Sequence, residues 1–250
     1  MRLNRAFFLS VLLALFTSAA KADDHTPISP TNVWTAQNIV FKDGQQQAFR
    51  AGLAKFMDSD MGKSMPGQVF YNWIVSDGDA PATHSFVQVF PSMAAWTEWN
   101  VKFFTAAASG NNPSAEWGRT FFASVESAST ITARIHKSWG PVGATAGPSE
   151  WVPFYTEDLA TFTADFSAYM QTPTGKGFKG TVAIHECIAC GEQGFNAGFT
   201  VNHESPESFD EWWSTGRNSE DFTQWVAQAN AIADFPGNWM SAQLDSYPAQ

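Results

Sequence analysis

The chain has 250 residues, and its 24 acidic and 14 basic side chains give a formal net charge of −10. This acidic balance argues against nucleic acid and anionic membrane surfaces as partners, because both are bound through basic faces. A chain of this length can bury one large core or two small ones.

Residues 1–22 have the pattern of a secretory signal peptide. Arg2 and Arg5 precede an apolar run at 6–16, and an Ala-Lys-Ala cleavage site ends at Ala22. The run is shorter than the roughly 20 apolar residues of a transmembrane helix, and no later segment reaches that length. No cysteine follows the cut, which argues against a lipid anchor. We therefore expect cleavage after Ala22 and a periplasmic or secreted protein without a membrane anchor.

The first half of the remaining chain alternates between strand-like and helix-like periodicity. Strands are predicted where apolar residues recur every second position, and helices where they recur every three to four positions. In chain order the pattern predicts a strand at 33–40, a helix at 45–57, strands at 68–75 and 84–90, a helical region from Met93 that breaks at 110–113 and continues to Val125, and a strand at 130–136.

The second half repeats this order of elements. Ser205 is a favourable N-cap with Pro206 at the first helical position. The predicted elements are a strand at 151–155, a helix whose apolar face is Leu159, Phe162, Phe166 and Tyr169, strands at 181–187 and 196–204, a helical region from Pro206 to Ala229, and a strand at 239–244.

One segment of the first half is echoed in the second. FVQVFPSMAAWTEW, from Phe86, corresponds to FTVNHESPESFDEWW, from Phe199, and in both a strand and a Pro and Ser turn lead into a helix with a Glu-Trp pair. Each half reads as βαββαβ, the ferredoxin-like arrangement, which indicates an internal duplication. The predicted organisation is a signal peptide at 1–22, a first unit at 23–140, a linker at 141–150 and a second unit at 151–250.

This tandem pattern resembles the dimeric α/β-barrel superfamily, here with both units in one chain. The resemblance implies an α+β fold in which two ferredoxin-like sheets lie face to face around a lumen. Antibiotic-biosynthesis-type monooxygenases, haem-degrading monooxygenases, dye-type and chlorite-type haem enzymes and stress-response proteins are similar in fold. The sequence contains no motif specific to one of these families, and the fold does not by itself carry a function.

Strand alternation divides the residues of each strand between two faces. In the first half we expect the helix-packed face to contain Val69, Tyr71, Val87, Val89, Ile131 and Ile135. The opposite faces would line the lumen, and their polar residues form the predicted ligand site: Asn72, His84, Gln88, Arg134, His136, His185, Thr200 and Asn202. A turn around 192–193 would set His185 opposite Thr200. Arg134 would hold an anionic or carbonyl group, and a histidine would move a proton.

Both cysteines lie in the segment HECIACG, residues 185–191. Haem attachment through this motif is excluded because Gly191 stands where a histidine is required. A structural zinc site usually needs four ligands, and the segment offers three. A redox-active pair would sit at a helix N-terminus, whereas this pair ends a strand. We predict a Cys187–Cys190 disulfide, which requires the chain to bend at Ile188 and Ala189, and no metal site.

Three functions remain open at this point. The first is binding of a small aromatic or anionic ligand in the lumen, with or without a monooxygenase-like reaction that needs no cofactor. The second is a haem-binding or haem-processing barrel in which His84, His136 or His185 is the axial ligand. The third is a periplasmic binding or stress protein without turnover. The expected partner is a small molecule, and the chain is expected to be a monomer or a weak homo-oligomer.

Overall fold

The computed structural model describes residues 32–76, 81–140, 147–190 and 194–248. The predicted signal peptide, most of the predicted linker and the turn at 192–193 lie outside these ranges. Within them, no helix combines the length and the apolar character needed to cross a membrane.

The first half contains four strands and four helices within the described residues. They are β1 (Val33–Phe41), α1 (Gln46–Met57), α2 (Asp60–Lys63), β2 (Gln68–Ser76), β3 (His84–Phe90), α3 (Met93–Ala108), α4 (Pro113–Ser124) and β4 (Val125–Trp139).

The second half follows the same plan with two small additions, a 3-10 turn and a two-residue strand. Its elements are β5 (Ser149–Thr156), α5 (Leu159–Tyr169), α6 (Pro173–Gly177), β6 (Gly180–Ala189), β7 (Ala197–His203), α7 (Pro206–Ser214), a 3-10 turn (Gly216–Asn218), α8 (Glu220–Ala229), β8 (Ala233–Asp234) and β9 (Trp239–Tyr247).

Most predicted elements lie where the periodicity placed them, and the largest difference is β4. This strand begins at Val125, a residue assigned to a helix from the sequence, and is twice as long as predicted. Residues 126–130 are exposed, so they lack the alternation that marks a half-buried strand. The predicted cap is confirmed, because Ser205 Oγ accepts a hydrogen bond from Ser208 N and Pro206 opens α7.

Eight strands form a closed antiparallel barrel. Around the ring the order is β4, β1, β3, β2, β9, β5, β7, β6 and back to β4, and the two-residue β8 pairs with β5 outside the ring. Each half contributes its strands in the same order: fourth, first, third, second. The two halves join at two places, where β2 pairs with β9 and where β4 pairs with β6. The barrel is therefore continuous, which differs from the expected pair of separate sheets lying face to face.

The helices pack on the outside of the barrel and bury two aromatic cores. The buried residues of α1 are Phe49, Leu53, Phe56 and Met57, and Phe49 contacts Trp117 of α4 with ring centroids 4.9 Å apart. In the second half, Phe162 of α5 stacks on Phe154 of β5 at 4.2 Å. A third cluster, around Trp34 and Trp151, fills the inside of the barrel. Each strand thus has one face toward helices and one toward the lumen.

Candidate functional site

The lumen contains a cavity of about 190 Å³. Strands from both halves contribute to its wall, which mixes indole rings with amide and hydroxyl groups. Trp34, Gln68, Asn72, Trp151, His185 and Thr200 are among the lining residues. The site therefore depends on closure of the barrel, because neither half supplies the wall alone.

His185 is the central polar group of this wall. Its side chain is 4% exposed, and burial lowers its pKa to about 3, so the ring is neutral. Trp34 Nε1 donates to His185 Nδ1 at 2.7 Å, and His185 Nε2 lies 2.7 Å from Thr200 Oγ1. Because an indole N–H can only donate, Nδ1 must accept, and the proton of the neutral ring is on Nε2. Nε2 thus donates to Thr200, whose own hydroxyl proton remains available to another acceptor.

Two tryptophans hold this histidine in place. The ring centroids of Trp34 and Trp151 lie 5.3 Å and 5.7 Å from that of His185, and 5.3 Å from each other. Trp151 lies against the backbone of Gly198, where an added Cβ would be 2.5 Å from two atoms of the indole. Gly198 is therefore required for close approach of the indole to β7.

Two buried donors in the cavity wall have no hydrogen-bond partner among the described residues. They are Gln68 Nε2 and Trp151 Nε1, on side chains that are 7% and 6% exposed. Nearby polar groups are paired: Ser149 Oγ donates to Asn202 Oδ1 at 2.7 Å, and Asn72 Nδ2 donates to Ser85 Oγ at 3.2 Å. Because unsatisfied buried donors are uncommon, these two indicate a missing acceptor.

Four of the eight predicted site residues line the lumen cavity: Asn72, His185, Thr200 and Asn202. The predicted pairing was wrong by two residues, because His185 lies opposite Gly198, and Thr200 lies opposite Ala183. A two-residue shift preserves the face of every side chain, which explains why the lumen assignment of β6 and β7 is unaffected.

The predicted lumen positions of His84 and Gln88 were wrong, because β3 is turned the other way. Tyr71 and Phe86 are direct cross-strand partners on the helix-packed face, and His84 stacks on Tyr71 with ring centroids 5.3 Å apart. Burial there lowers the pKa of His84 to about 4. Gln88 lines a small cavity under the helices of the first half. Each face of β3 carries two large apolar residues, Phe86 and Phe90 on one and Val87 and Val89 on the other. Alternation therefore separates the residues into two sets without showing which set faces the helices.

The predicted positions of Arg134 and His136 were also wrong, because both side chains are exposed on the outer face of β4. The inward residues are Ile131, Ala133 and Ile135, which belong to the lumen cluster. Arg134 Nε donates to Glu186 at 2.7 Å on the outer face. His136 is an extra residue at a β-bulge, since Ile135 pairs with His185 and Lys137 pairs with Ile184.

These corrections change the electrostatics of the predicted site. No described lining residue of the lumen cavity is Lys or Arg, and the buried carboxylate of Glu150 borders the cavity. Trp34, Gln68 and Trp151, which sequence analysis did not include, supply the missing part of the wall. A tryptophan in a strand is also a normal core residue, so the sequence alone could not distinguish a tryptophan of the site from one of the core.

A second, larger cavity lies outside the barrel wall in the second half. Its volume is about 400 Å³, and it separates the sheet from α5, α7 and α8. Most of its lining is apolar and aromatic, with Glu150 on one side and Arg217 on another. Sequence analysis assigned these aromatics to a packed core, and periodicity cannot distinguish a filled core from one that leaves a cavity.

The Cys187–Cys190 disulfide is present, with the two Cα atoms 5.8 Å apart. Thr132 pairs with Ala189 and Ala133 pairs with Cys187, which makes Ile188 an extra residue in β6. This bulge supplies the bend that the prediction required. Within the described ranges, no three His, Cys, Asp or Glu side chains group in a way that could hold a metal ion.

The four histidines that the structure describes do not fit haem ligation in either cavity. The ring of His84 packs in the helix layer, His136 is on the outer face, and both ring nitrogens of His185 are hydrogen-bonded. His203 is fully buried and is not among the lining residues of either cavity. A haem iron would therefore find no free histidine nitrogen in these two cavities.

Solved structures share this fold at low sequence identity. A candidate monooxygenase from Fusobacterium nucleatum aligns with a TM-score of 0.60 and 11% identity, covering 87% of this chain and 94% of its own. A candidate monooxygenase from Lactobacillus acidophilus aligns with a TM-score of 0.56 and 10% identity, covering 86% of this chain and 93% of its own. A haem-binding protein from Thermus thermophilus aligns with a TM-score of 0.51 and 13% identity, covering 88% of this chain and 96% of its own.

No protein-family model matches the chain. No curated protein matches it by sequence either. The structural likenesses therefore show the α+β barrel fold alone, and the chemistry has to be argued from the cavities of this chain.

Proposed function

We propose that the barrel lumen binds one small, neutral molecule that carries hydrogen-bond acceptors. The observation that carries this proposal is the pair of unpartnered donors, Gln68 Nε2 and Trp151 Nε1, in the wall of the cavity. The hydroxyl of Thr200 adds a third donor, because its oxygen already accepts from His185. A ligand carbonyl or ether oxygen would supply the partner that these groups lack.

The size of the cavity limits the ligand. At about 190 Å³ it is smaller than the roughly 300 Å³ at which pockets for drug-sized molecules begin. A single ring with one or two substituents fits this space. The indoles of Trp34 and Trp151 favour an aromatic ring.

The electrostatics favour a neutral ligand over the anionic one considered from the sequence. An anion would enter a cavity without a described cationic side chain and with Glu150 at its border. His185 cannot supply the positive charge, because burial keeps its pKa near 3. Desolvating an unpaired anion is costly, so a carboxylate should bind far more weakly than a ketone of the same size.

Binding of acetophenone, ethylbenzene and benzoate tests this proposal. The three share a phenyl ring and differ in carrying a carbonyl, no acceptor or an anion. We expect acetophenone to bind about tenfold more tightly than ethylbenzene, which is the upper range for a neutral hydrogen bond, and benzoate to bind most weakly. Isothermal titration calorimetry measures all three.

Matched variants locate the site. Gln68→Leu and Thr200→Val should each weaken acetophenone binding several-fold with little effect on ethylbenzene. Arg134→Gln, on the outer face, is the control and should bind as the wild type does. If benzoate binds most tightly, or if Arg134→Gln loses binding, the neutral-ligand proposal is wrong.

A monooxygenase-like reaction without a cofactor is a second candidate. It is supported by the fold shared with two candidate monooxygenases. No imidazole nitrogen of His185 is free to remove a proton, so binding without turnover is the better-supported function of the lumen. Uptake of dioxygen in the presence of monocyclic dihydroxyarenes, above the rate without protein, would establish turnover and replace the binding-only proposal.

We also propose that the protein is exported, with cleavage after Ala22, to the periplasm or the medium. The basic and apolar N-terminal pattern supports this, and so does the Cys187–Cys190 disulfide, since such bonds persist in oxidising compartments. Fractionation of the source cells tests the location.

A further inference from the structure

The cavity between the helices and the sheet of the second half has features of a ligand site separate from the lumen. Neighbouring residues show that the two cavities lie on opposite faces of the same strands: Val152 and Phe199 line the outer cavity, whereas Trp151 and Thr200 line the lumen. Much of the outer wall is aromatic, including Phe166, Tyr169, Phe199, Trp212, Phe222 and Trp225.

Glu150 is a buried carboxylate in this aromatic wall. Its side chain is 9% exposed, and its Oε1 accepts a hydrogen bond from Nε2 of His203 at 3.0 Å. Its second oxygen has no hydrogen-bond partner in the part of the chain that the structure describes. This second oxygen is not among the buried atoms without a partner, so it keeps accessible surface, and Glu150 lines both the outer cavity and the lumen.

The histidine does not balance the charge of Glu150. His203 is fully buried, and its Nδ1 has no hydrogen-bond partner among the described residues. A protonated ring would leave a charged N–H without a partner between the rings of Phe178 and Phe209, which contact it edge-on at 5.4 Å and 5.0 Å. A neutral ring with its proton on Nε2 leaves only an unused acceptor, which costs less. Among the described residues Glu150 therefore forms no ion pair with a Lys or Arg side chain, and its one partner is an imidazole.

The surrounding groups are suited to a cation. Aromatic faces attract ammonium groups through the ring quadrupole, and the chain itself shows this, with Arg217 placed 3.8 Å above the ring of Trp213. Tyr169 lines the same cavity, its buried hydroxyl has no partner among the described residues, and burial raises the pKa of this tyrosine, so it adds no negative charge. The net charge of −10 favours the approach of cations.

We propose that this cavity is a second binding site, specific for a hydrophobic organic ammonium whose N–H group donates to the free oxygen of Glu150. The hydrocarbon part lies on the aromatic wall. A volume of about 400 Å³ is within the range for drug-sized ligands, so one or two rings with an aminoalkyl chain fit. Glu150 borders both cavities, so the two sites share this residue, but the ammonium preference does not rest on the function proposed for the lumen.

Three water-soluble probes of equal size test the charge preference. They are 2-phenylethylammonium, 2-phenylethanol and 3-phenylpropanoate, which carry a cationic donor, a neutral donor and an anion. We expect the ammonium to bind at least about tenfold more tightly than the alcohol, because a charge-assisted hydrogen bond is about twice as strong as a neutral one. Quenching of tryptophan fluorescence reports binding, since Trp212, Trp213 and Trp225 line the cavity.

Variants assign the preference to Glu150. Glu150→Gln should reduce the preference for ammonium over alcohol to about twofold, and Thr200→Val in the lumen should leave it unchanged. Arg217→Gln removes a like charge from the wall and should not weaken ammonium binding. If Glu150→Gln fails to fold, the order of the three probe affinities for the wild-type protein still shows whether the site prefers a cation. Equal binding of ammonium and alcohol, or tightest binding of the propanoate with its loss in Arg217→Gln, would overturn the proposal.

Discussion

Acidification provides a direct test of the buried imidazole at the centre of the lumen. Burial lowers the pKa of His185 to about 3, against an ordinary value near 6.5 in the unfolded chain. Above pH 6.5 both states are neutral, and the ring contributes no pH dependence. Below pH 6.5 the unfolded state binds a proton and the folded state does not, so stability falls as the pH falls toward 3.

The size of this effect follows from the two pKa values. Between pH 8 and pH 5, the difference in proton uptake at His185 should remove about 2 kcal/mol from the free energy of unfolding. His84, whose pKa is lowered to about 4 by burial, adds to the pH dependence of the wild type. The His185→Gln variant keeps an acceptor for Trp34 and a donor for Thr200 and removes only the titrating group.

Urea titration at pH 8 and pH 5, followed by tryptophan fluorescence, measures both free energies. We expect the pH-dependent loss in His185→Gln to be about 2 kcal/mol smaller than in the wild type. The control is His136→Gln, which removes an exposed imidazole from the outer face of β4. If wild type and His185→Gln lose the same free energy on acidification, His185 is not the buried neutral ring on which the lumen proposal rests.

Gly198→Ala should destabilise the protein by roughly 1 to 3 kcal/mol and weaken acetophenone binding, because its Cβ would lie 2.5 Å from the indole of Trp151; unchanged binding would show that the placement of Trp151 does not matter. The exported protein should contain no titratable thiol before reduction, and replacing both Cys187 and Cys190 by Ser should cost roughly 2 kcal/mol, as expected for a very short loop. Two free thiols would contradict the disulfide. Intact mass of the exported protein should show Asp23 as its first residue, and retention of Arg2 would refute cleavage after Ala22. The visible spectrum of added haem should be the same with and without the protein. A shifted absorption band would show an iron ligand that the described histidines do not provide.

Sequence periodicity was sufficient for the elements and for their order. The limits of β3 and the Ser205 cap depend on local spacing, and both are as predicted. Local spacing is reliable here because a helix or strand has to place its apolar residues on one side. Pairing of Cys187 with Cys190 was also predictable, since a chain with two cysteines and the N-terminal pattern of an exported protein can form one intramolecular disulfide.

The orientation of β3 and β4 was decided only by the tertiary structure. Val87 and Val89 on one face of β3 and Phe86 and Phe90 on the other are equally apolar, and strand pairing determines which set packs under the helices. In β4, Ile131, Ala133 and Ile135 share one face and Arg134 and His136 the other, as alternation predicts, and only the packing of the closed barrel shows that the aliphatic set lines the lumen. The predicted lumen histidine of β3 therefore lies under the helices, and Arg134 lies outside.

The composition of both candidate sites also depended on long-range contacts. The Trp34–His185 bond joins residues 151 positions apart, and the Glu150–His203 bond joins residues 53 positions apart. Sequence placed Trp34, His185 and His203 in strands, and for β6 and β7 it also determined which face the residues share. Glu150 was assigned to the linker and lies in β5. Closure of the barrel determined which strands become neighbours, because backbone hydrogen bonds at the free edges of each four-stranded sheet can be satisfied only by the other half.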